Sequence, residues 1–190
     1  HPHPFLTDIN VRKALSMGAG SGVHVVDDAL HGSDAVGTSL ALAKAIEAQG
    51  ADSATVSNAG DITVIAPGFL QVQDYYGVIG YAPGVQAFGI YATGGEAGVD
   101  LTNSGNISVD AGYATGIEVQ SAGDLSVSNS GDIVAGSGLN SYYNGDNGYT
   151  YYFGTQVATG INATSNGEGA AVSVTNSGDI SSQGYYGATG

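Results

Sequence analysis

The sequence predicts an all-β chain folded as a parallel β-solenoid with three short strands per turn, and two internal repeats and a composition bias carry that prediction. The first repeat reads Val-Ser-Asn-Ala-Gly-Asp-Ile at 56–62, Leu-Thr-Asn-Ser-Gly-Asn-Ile at 101–107, Val-Ser-Asn-Ser-Gly-Asp-Ile at 127–133 and Val-Thr-Asn-Ser-Gly-Asp-Ile at 174–180, with a degenerate Ser-Ala-Gly-Asp-Leu at 121–125. The second reads Ala-Ile-Glu-Ala-Gln at 45–49, Gly-Ile-Tyr-Ala-Thr at 89–93, Gly-Ile-Glu-Val-Gln at 116–120 and Gly-Ile-Asn-Ala-Thr at 160–164. Repeats of a few tens of residues belong to architectures in which one unit cannot bury its own apolar face and several must stack. Gly, Ser, Thr, Asn and Val fill the repeats while Leu, Lys, Glu and Arg are scarce, which disfavours helical repeats.

Residues 1–44 lack the repeat pattern and are assigned to an N-terminal cap, because an open solenoid end exposes unpaired backbone and an apolar rim. Within the cap, Ser-Gly-Val-His-Val-Val at 21–26 reads as a strand. Residues 45–190 carry the repeats. From Ile90 to Ile117 is one complete turn of 27 residues, divisible into three segments that alternate apolar and polar with period 2. In a parallel stack the inward Ile and Val of successive turns form columns at the ~4.8 Å strand spacing. Asn58, Asn103, Asn129 and Asn176 are expected to stack as well, each amide bonding its neighbour and the local backbone, with the Gly two places on supplying a positive φ. These asparagines are read as structural.

The spacing from each Asn to the next Gly-Ile isoleucine is 32 residues after Asn58 and Asn129 but 14 after Asn103, so alternate turns carry an 18-residue addition. The additions span 69–86 and 139–156 and hold eight of the twelve tyrosines: Tyr75, Tyr76 and Tyr81 in the first, and Tyr142, Tyr143, Tyr149, Tyr151 and Tyr152 in the second. The second reads as a β-hairpin around Asn-Gly-Asp-Asn-Gly at 144–148. The first, with Pro83 and several glycines, reads as a hairpin or an irregular loop. Because both follow the same motif two turns apart, their roots are expected about 10 Å apart on one side, forming a single aromatic ridge. Tyr-Gly-Ala-Thr-Gly at 186–190 resembles Tyr-Ala-Thr-Gly at 113–116, and the pattern is expected to continue past residue 190.

The formal net charge is −14, and the three basic residues Arg12, Lys13 and Lys44 all fall at or before residue 44. Nucleic-acid binding is disfavoured, since phosphate neutralisation needs clustered Lys and Arg. Binding to anionic lipid or anionic polysaccharide through the repeats is disfavoured for the same reason. There is no cysteine, hence no disulfide scaffold, thiol nucleophile or cysteine zinc cluster. No stretch is long and apolar enough to span a bilayer as a helix, so no membrane insertion by these residues is expected, and no signal peptide is read at His1.

Catalytic and metal sites are not favoured by the pattern. Asp27 and Asp28 are adjacent, which on a strand sends them to opposite faces, and His24 and His31 near them read as packing or surface residues. His1 and His3 on a chain end, and Asn144, Asp146 and Asn147 in a turn, offer ligand atoms without a metal-site spacing, so no cofactor is expected. No Gly-x-Ser-x-Gly elbow occurs in a strand-to-helix setting. A lyase on acidic sugars lacks a cation to neutralise its substrate; a hydrolase on neutral glycans stays as the alternative to a non-enzymatic role.

The Asn-Ser-Gly-Asp-Ile repeats, the Gly-Ile-x-Ala segments, the absence of cysteine and the scarcity of Lys and Arg over residues 45–190 resemble passenger domains of autotransporters and related secreted adhesins of Gram-negative bacteria. The resemblance implies a right-handed parallel β-helix, export through the outer membrane, and a surface or secreted role in adhesion, aggregation or biofilm formation. No serine-protease signature of that family and no C-terminal barrel is seen in these residues. Tyrosine offers a broad apolar face and a polar tip at small entropy cost. The eight inserted tyrosines are therefore the candidate binding residues, either for a glycan or host protein surface or for self-association into oligomers or fibres. The plain alternative is that they only cover the solenoid side.

Overall fold

The computed structural model describes residues 23–26 (backbone only), 42–66 and 68–190. Among the described residues there is no helix, and the strands fall into four sheets. In chain order the strands are β1 (Val23–Val26), β2 (Leu42–Gln49), β3 (Ser53–Asn58), β4 (Ile62–Ile65), β5 (Phe69–Asp74), β6 (Gly77–Ala82), β7 (Gln86–Gly94), β8 (Gly98–Asn103) and β9 (Ile107–Asp110). They continue as β10 (Tyr113–Ser121), β11 (Leu125–Asn129), β12 (Ile133–Ala135), β13 (Leu139–Asn144), β14 (Tyr149–Gly154), β15 (Val157–Ser165), β16 (Val172–Asn176), β17 (Ile180–Ser182) and β18 (Gly187–Thr189).

Three sheets are parallel, with orders β1-β4-β9-β12-β17, β18-β15-β10-β7-β2 and β16-β11-β8-β3. The chain visits them cyclically, and each motif stacks on its own copies: Ile90 pairs Ile117, which pairs Ile161, and Ile62, Ile107, Ile133 and Ile180 align in the same way. All-β architecture and in-register parallel strands follow the expectation and are compatible with a β-solenoid. The expected strand within 21–26 is β1, which pairs in parallel with β4. The rest of the cap assigned to 1–44 lies outside the described residues, except that Leu42, Ala43 and Lys44 belong to β2.

The core fills the space between the three parallel sheets. Strand alternation sends one apolar column inward from each strand position, and Ile62, Ile90, Leu101, Ile107, Ile117, Leu125 and Ile133 are fully buried. Each such side chain contributes roughly 1.5–3 kcal/mol by leaving water. The second motif bends the strand: in β10 Gly116 and Ile117 are buried consecutively, and a Cβ on Gly116 would collide with the Ile133 methyl packed under the bend.

The asparagines form an unbroken ladder. Asn58 Nδ2 donates to Asn103 Oδ1 (2.7 Å), Asn103 Nδ2 to Asn129 Oδ1 (2.6 Å) and Asn129 Nδ2 to Asn176 Oδ1 (2.6 Å). Each amide also donates to the carbonyl two residues on, that of Gly60, Gly105, Gly131 or Gly178. The reason given above for those glycines is corrected, because none of them has a positive φ. Space is the constraint: a Cβ on Gly131 would overlap the Gly105 carbonyl oxygen stacked against it, and Gly178 meets Gly131 in the same way. The next motif position is explained too. Asp61, Asn106 and Asp132 each use Oδ1 to accept the backbone N–H of Asn106, Asp132 and Asp179 respectively, at 2.8–3.0 Å. These acidic and amide side chains stitch one layer to the next.

Candidate functional site

Both additions are β-hairpins, β5–β6 and β13–β14, which resolves the first in favour of hairpin over irregular loop. A bulge in β6, where Ile79 has no partner opposite β5, accounts for its irregular sequence. The register also fits the additions into the repeat. Ala135 pairs with Val109 and Val157 with Tyr113, so 18 residues are inserted where the short connection has only residues 110–112.

The two hairpins join in one sheet, which sets their midpoints two strand spacings, about 10 Å, apart as expected. β14 pairs directly with β5 through five residue pairs, Thr150 with Gln73 to Gly154 with Phe69, giving one antiparallel sheet of order β13-β14-β5-β6. No hairpin grows from the short connection between β9 and β10, so nothing separates the two that do, and their edge N–H and C=O groups satisfy each other.

The single ridge is corrected, because directly opposed residues share a face and successive residues alternate. Tyr142, Tyr149 and Tyr151 therefore share one face with Leu70, Val72 and Phe153. Tyr81, Tyr143 and Tyr152 share the other with Phe69, Gln71 and Gln73. Tyr75 and Tyr76 sit on neither, at the tip of the first hairpin, 94% and 92% exposed and packed edge to face at 5.4 Å.

The second face packs at its root against residues following β17 of the parallel sheets, while Tyr143 (64% exposed) and Tyr81 (52%) reach solvent. Phe69 stacks on Tyr185 at 6.0 Å, Tyr185 packs on Tyr186 at 4.6 Å, and a cavity of about 100 Å³ lies among Phe69, Gln71, Gln73, Leu139, Tyr152 and Tyr185. Gln156 is fully buried beside it; its Nε2 donates to the Tyr81 hydroxyl and its Oε1 has no partner. The Tyr81 phenol is shifted above its ordinary value, by burial first and then by the neighbouring Tyr113 and Tyr186. Tyr113, Tyr185, Tyr186 and Gln156 were not among the residues singled out from the sequence. The signal for Tyr186 was present in the terminal Ala-Thr-Gly match: Gly187 pairs with Val157, so Tyr185 and Tyr186 fall at the root of the second addition.

The first face is only partly open, since Tyr149 and Tyr151 are half-buried. Tyr142 is 59% exposed, its ring lies 6.4 Å from that of Tyr151, and Asn147 Nδ2 holds the Tyr151 hydroxyl at 2.9 Å. The hairpin tip that offered oxygen ligands is a self-satisfied turn: Asn144 Oδ1 accepts from Asp146 N–H, Asn147 Oδ1 from Tyr149 N–H, and Gly148 sits at φ 72°. Among the described residues no group of three or more His, Cys, Asp or Glu is arranged to hold a metal ion, and no helix is long and apolar enough to cross a membrane. A cleft of about 470 Å³ with no tyrosine in its lining is bordered by Glu96, Asp124 and Glu168 among alanines and glycines.

Fold and site together define a class: an all-β repeat protein with in-register parallel sheets and, at its side, a separate aromatic antiparallel sheet. No protein-family model matches the chain, and no solved structure matches it. A stretch of 36 residues, 19% of the chain, is 58% identical to part of the electron transfer flavoprotein subunit beta of Mycobacterium leprae (strain TN), with the same figures for that of Mycobacterium tuberculosis (strain ATCC 25618 / H37Rv). The match spans 14% of the length of those relatives and carries no function to this chain.

Proposed function

We propose that this chain is a right-handed parallel β-helix with three strands per turn, working outside the cell or on the bacterial surface as a non-enzymatic adhesion or structural protein. The helix reading is supported by the cyclic visits to three parallel sheets. The surface role rests on the autotransporter-like repeats together with one structural observation. The first face of the antiparallel sheet carries Tyr142, Tyr149, Tyr151, Phe153, Leu70 and Val72 with only Asp74 as a charge, on a chain of net charge −14. Such a face suits neutral sugars or another protein surface, through ring stacking and phenol hydrogen bonds, and repels anionic partners.

The test is the triple variant Tyr142→Ser/Tyr149→Ser/Tyr151→Ser, which leaves Tyr81, Tyr143 and Tyr152 on the other face intact. Binding on a neutral-glycan array, attachment to cells, and aggregation of coated beads are measured beside a thermal melt. At least one of the three binding readouts should fall about tenfold with the melt preserved. If all three persist at full strength, the adhesive face is elsewhere. Turnover of a neutral polysaccharide by the wild-type chain would replace this reading with the hydrolase one.

A further inference from the structure

The antiparallel sheet has two outer strands, and they are built differently. β6 carries a bulge at Ile79 and is followed directly by Pro83, both devices that spoil an edge for further pairing. β13, Leu-Asn-Ser-Tyr-Tyr-Asn, has no bulge, proline or charged residue, and five of its six residues are exposed. Each strand has a single neighbour among the described residues. The molecule also shows what an unguarded hairpin edge does here, since β14 and β5 join the two hairpins edge to edge over five residue pairs.

We infer that β13 pairs with β13 of a second copy, antiparallel about a two-fold axis, fusing the two aromatic sheets into one of eight strands. This names the partner within the adhesive reading above and rests on it only for its biological use. An antiparallel addition continues a sheet that is antiparallel throughout. It also puts the root of each hairpin beside the tip of the other, so the two acidic solenoids lie at opposite ends of a strand about 20 Å long. A side-by-side parallel pairing would bring two bodies of charge −14 together. A closed two-fold pair, furthermore, uses the β13 edge of both copies and leaves the guarded β6 edges at the two ends of the fused antiparallel sheet.

Register follows from hydrogen-bond parity. In an antiparallel pair, opposed residues point their N–H and C=O groups either both inward or both outward, so the axis must pass through a residue, not between two. Ser141 or Tyr142 on the axis each gives five residue pairs, equal to the β14–β5 seam. The residue on the axis then faces its own copy at about 4.5–5.5 Å between Cα atoms, within disulfide reach, while its neighbour faces its own copy from beyond that range.

The chain has no cysteine, so single cysteines report cleanly. Ser141→Cys, Tyr142→Cys and, on the guarded edge, Val78→Cys are oxidised mildly and run on non-reducing gels, and the wild-type mass is followed by sedimentation as concentration and salt are raised. The expected result is a disulfide dimer from one of the two β13 variants and none from Val78→Cys. Wild-type protein should sediment at twice 18.8 kDa, with tighter association at higher salt as the acidic bodies are screened. Ser141→Lys, which puts a charge at an exposed position within the paired edge in either register, should weaken association about tenfold. A wild-type chain that stays monomeric at several hundred micromolar, equal crosslinking at Ser141 and Tyr142, or crosslinking at Val78 overturns the inference. Adhesion that survives in a monomeric Ser141→Lys variant and is lost in the Tyr→Ser triple variant would separate the two readings, leaving the adhesive face while excluding pairing as its basis.

Discussion

Replacing Asn129 with Ala tests the ladder at its most enclosed rung. Asn129 is 1% exposed; it accepts from Asn103 and donates to the Gly131 carbonyl and to Asn176 Oδ1. Truncation orphans two buried groups, the Gly131 carbonyl and one N–H of Asn103, whereas Asn176 lies exposed and water replaces its partner. At roughly 1–3 kcal/mol for each buried orphan the loss is about 2–6 kcal/mol. For a chain of this length that lowers the melting temperature by roughly 4–24 °C. Asn176→Ala is the internal control: it orphans one buried group, an N–H of Asn129, beside a half-buried Gly178, so its cost should be about half, roughly 1–3 kcal/mol. Asn129→Asp keeps the shape but removes both donors, so at pH 7 it should cost at least as much as the Ala variant. Circular-dichroism melts and urea unfolding of the three variants are the assay. Equal shifts for Asn129→Ala and Asn176→Ala, or an Asn129→Ala melt within 1 °C of wild type by the same ~2–4 °C per kcal/mol conversion, would refute the claim that burial of the stacked amides matters.

Gly131→Ala should be costlier than its chemistry suggests, on the order of 3 kcal/mol or more, because the methyl meets the stacked Gly105 carbonyl, while Gly187→Ala has open space and should stay within about 0.5 kcal/mol; chemical denaturation compares them. Deleting residues 139–156 and joining Gly138 to Val157 leaves residues 136–138 between the positions paired with Val109 and Tyr113, which matches the short connection, so the far-ultraviolet β signature should survive. Tyr81 holds its proton more tightly folded than unfolded, so its contribution to stability is complete below pH 10 and is lost as the pH rises through the folded value. An ultraviolet titration should therefore lose its latest-ionising tyrosine in Tyr81→Phe; an unchanged titration would contradict the packing around Gln156.

What the sequence determined by itself was everything that repeats. Stacked layers need the same residue at the same place, so Ile62, Ile107, Ile133 and Ile180, or the four asparagines, declared their columns by recurrence, and the 18-residue difference in spacing located both additions. Recurrence does not carry the reason for a residue, which is why Gly105, Gly131 and Gly178 were read as turn glycines although the stacked carbonyl above each is what excludes a side chain. The additions do not repeat one another, and there the tertiary structure decided. Only the direct meeting of β14 with β5 made one sheet of two hairpins, and only that pairing dealt Tyr142, Tyr149 and Tyr151 to one face and Tyr81, Tyr143 and Tyr152 to the other, whose Phe69 root stacks on Tyr185. Period-2 alternation assigns sides within a strand, but which side meets solvent depends on contacts between residues far apart in the chain, and no local pattern records those.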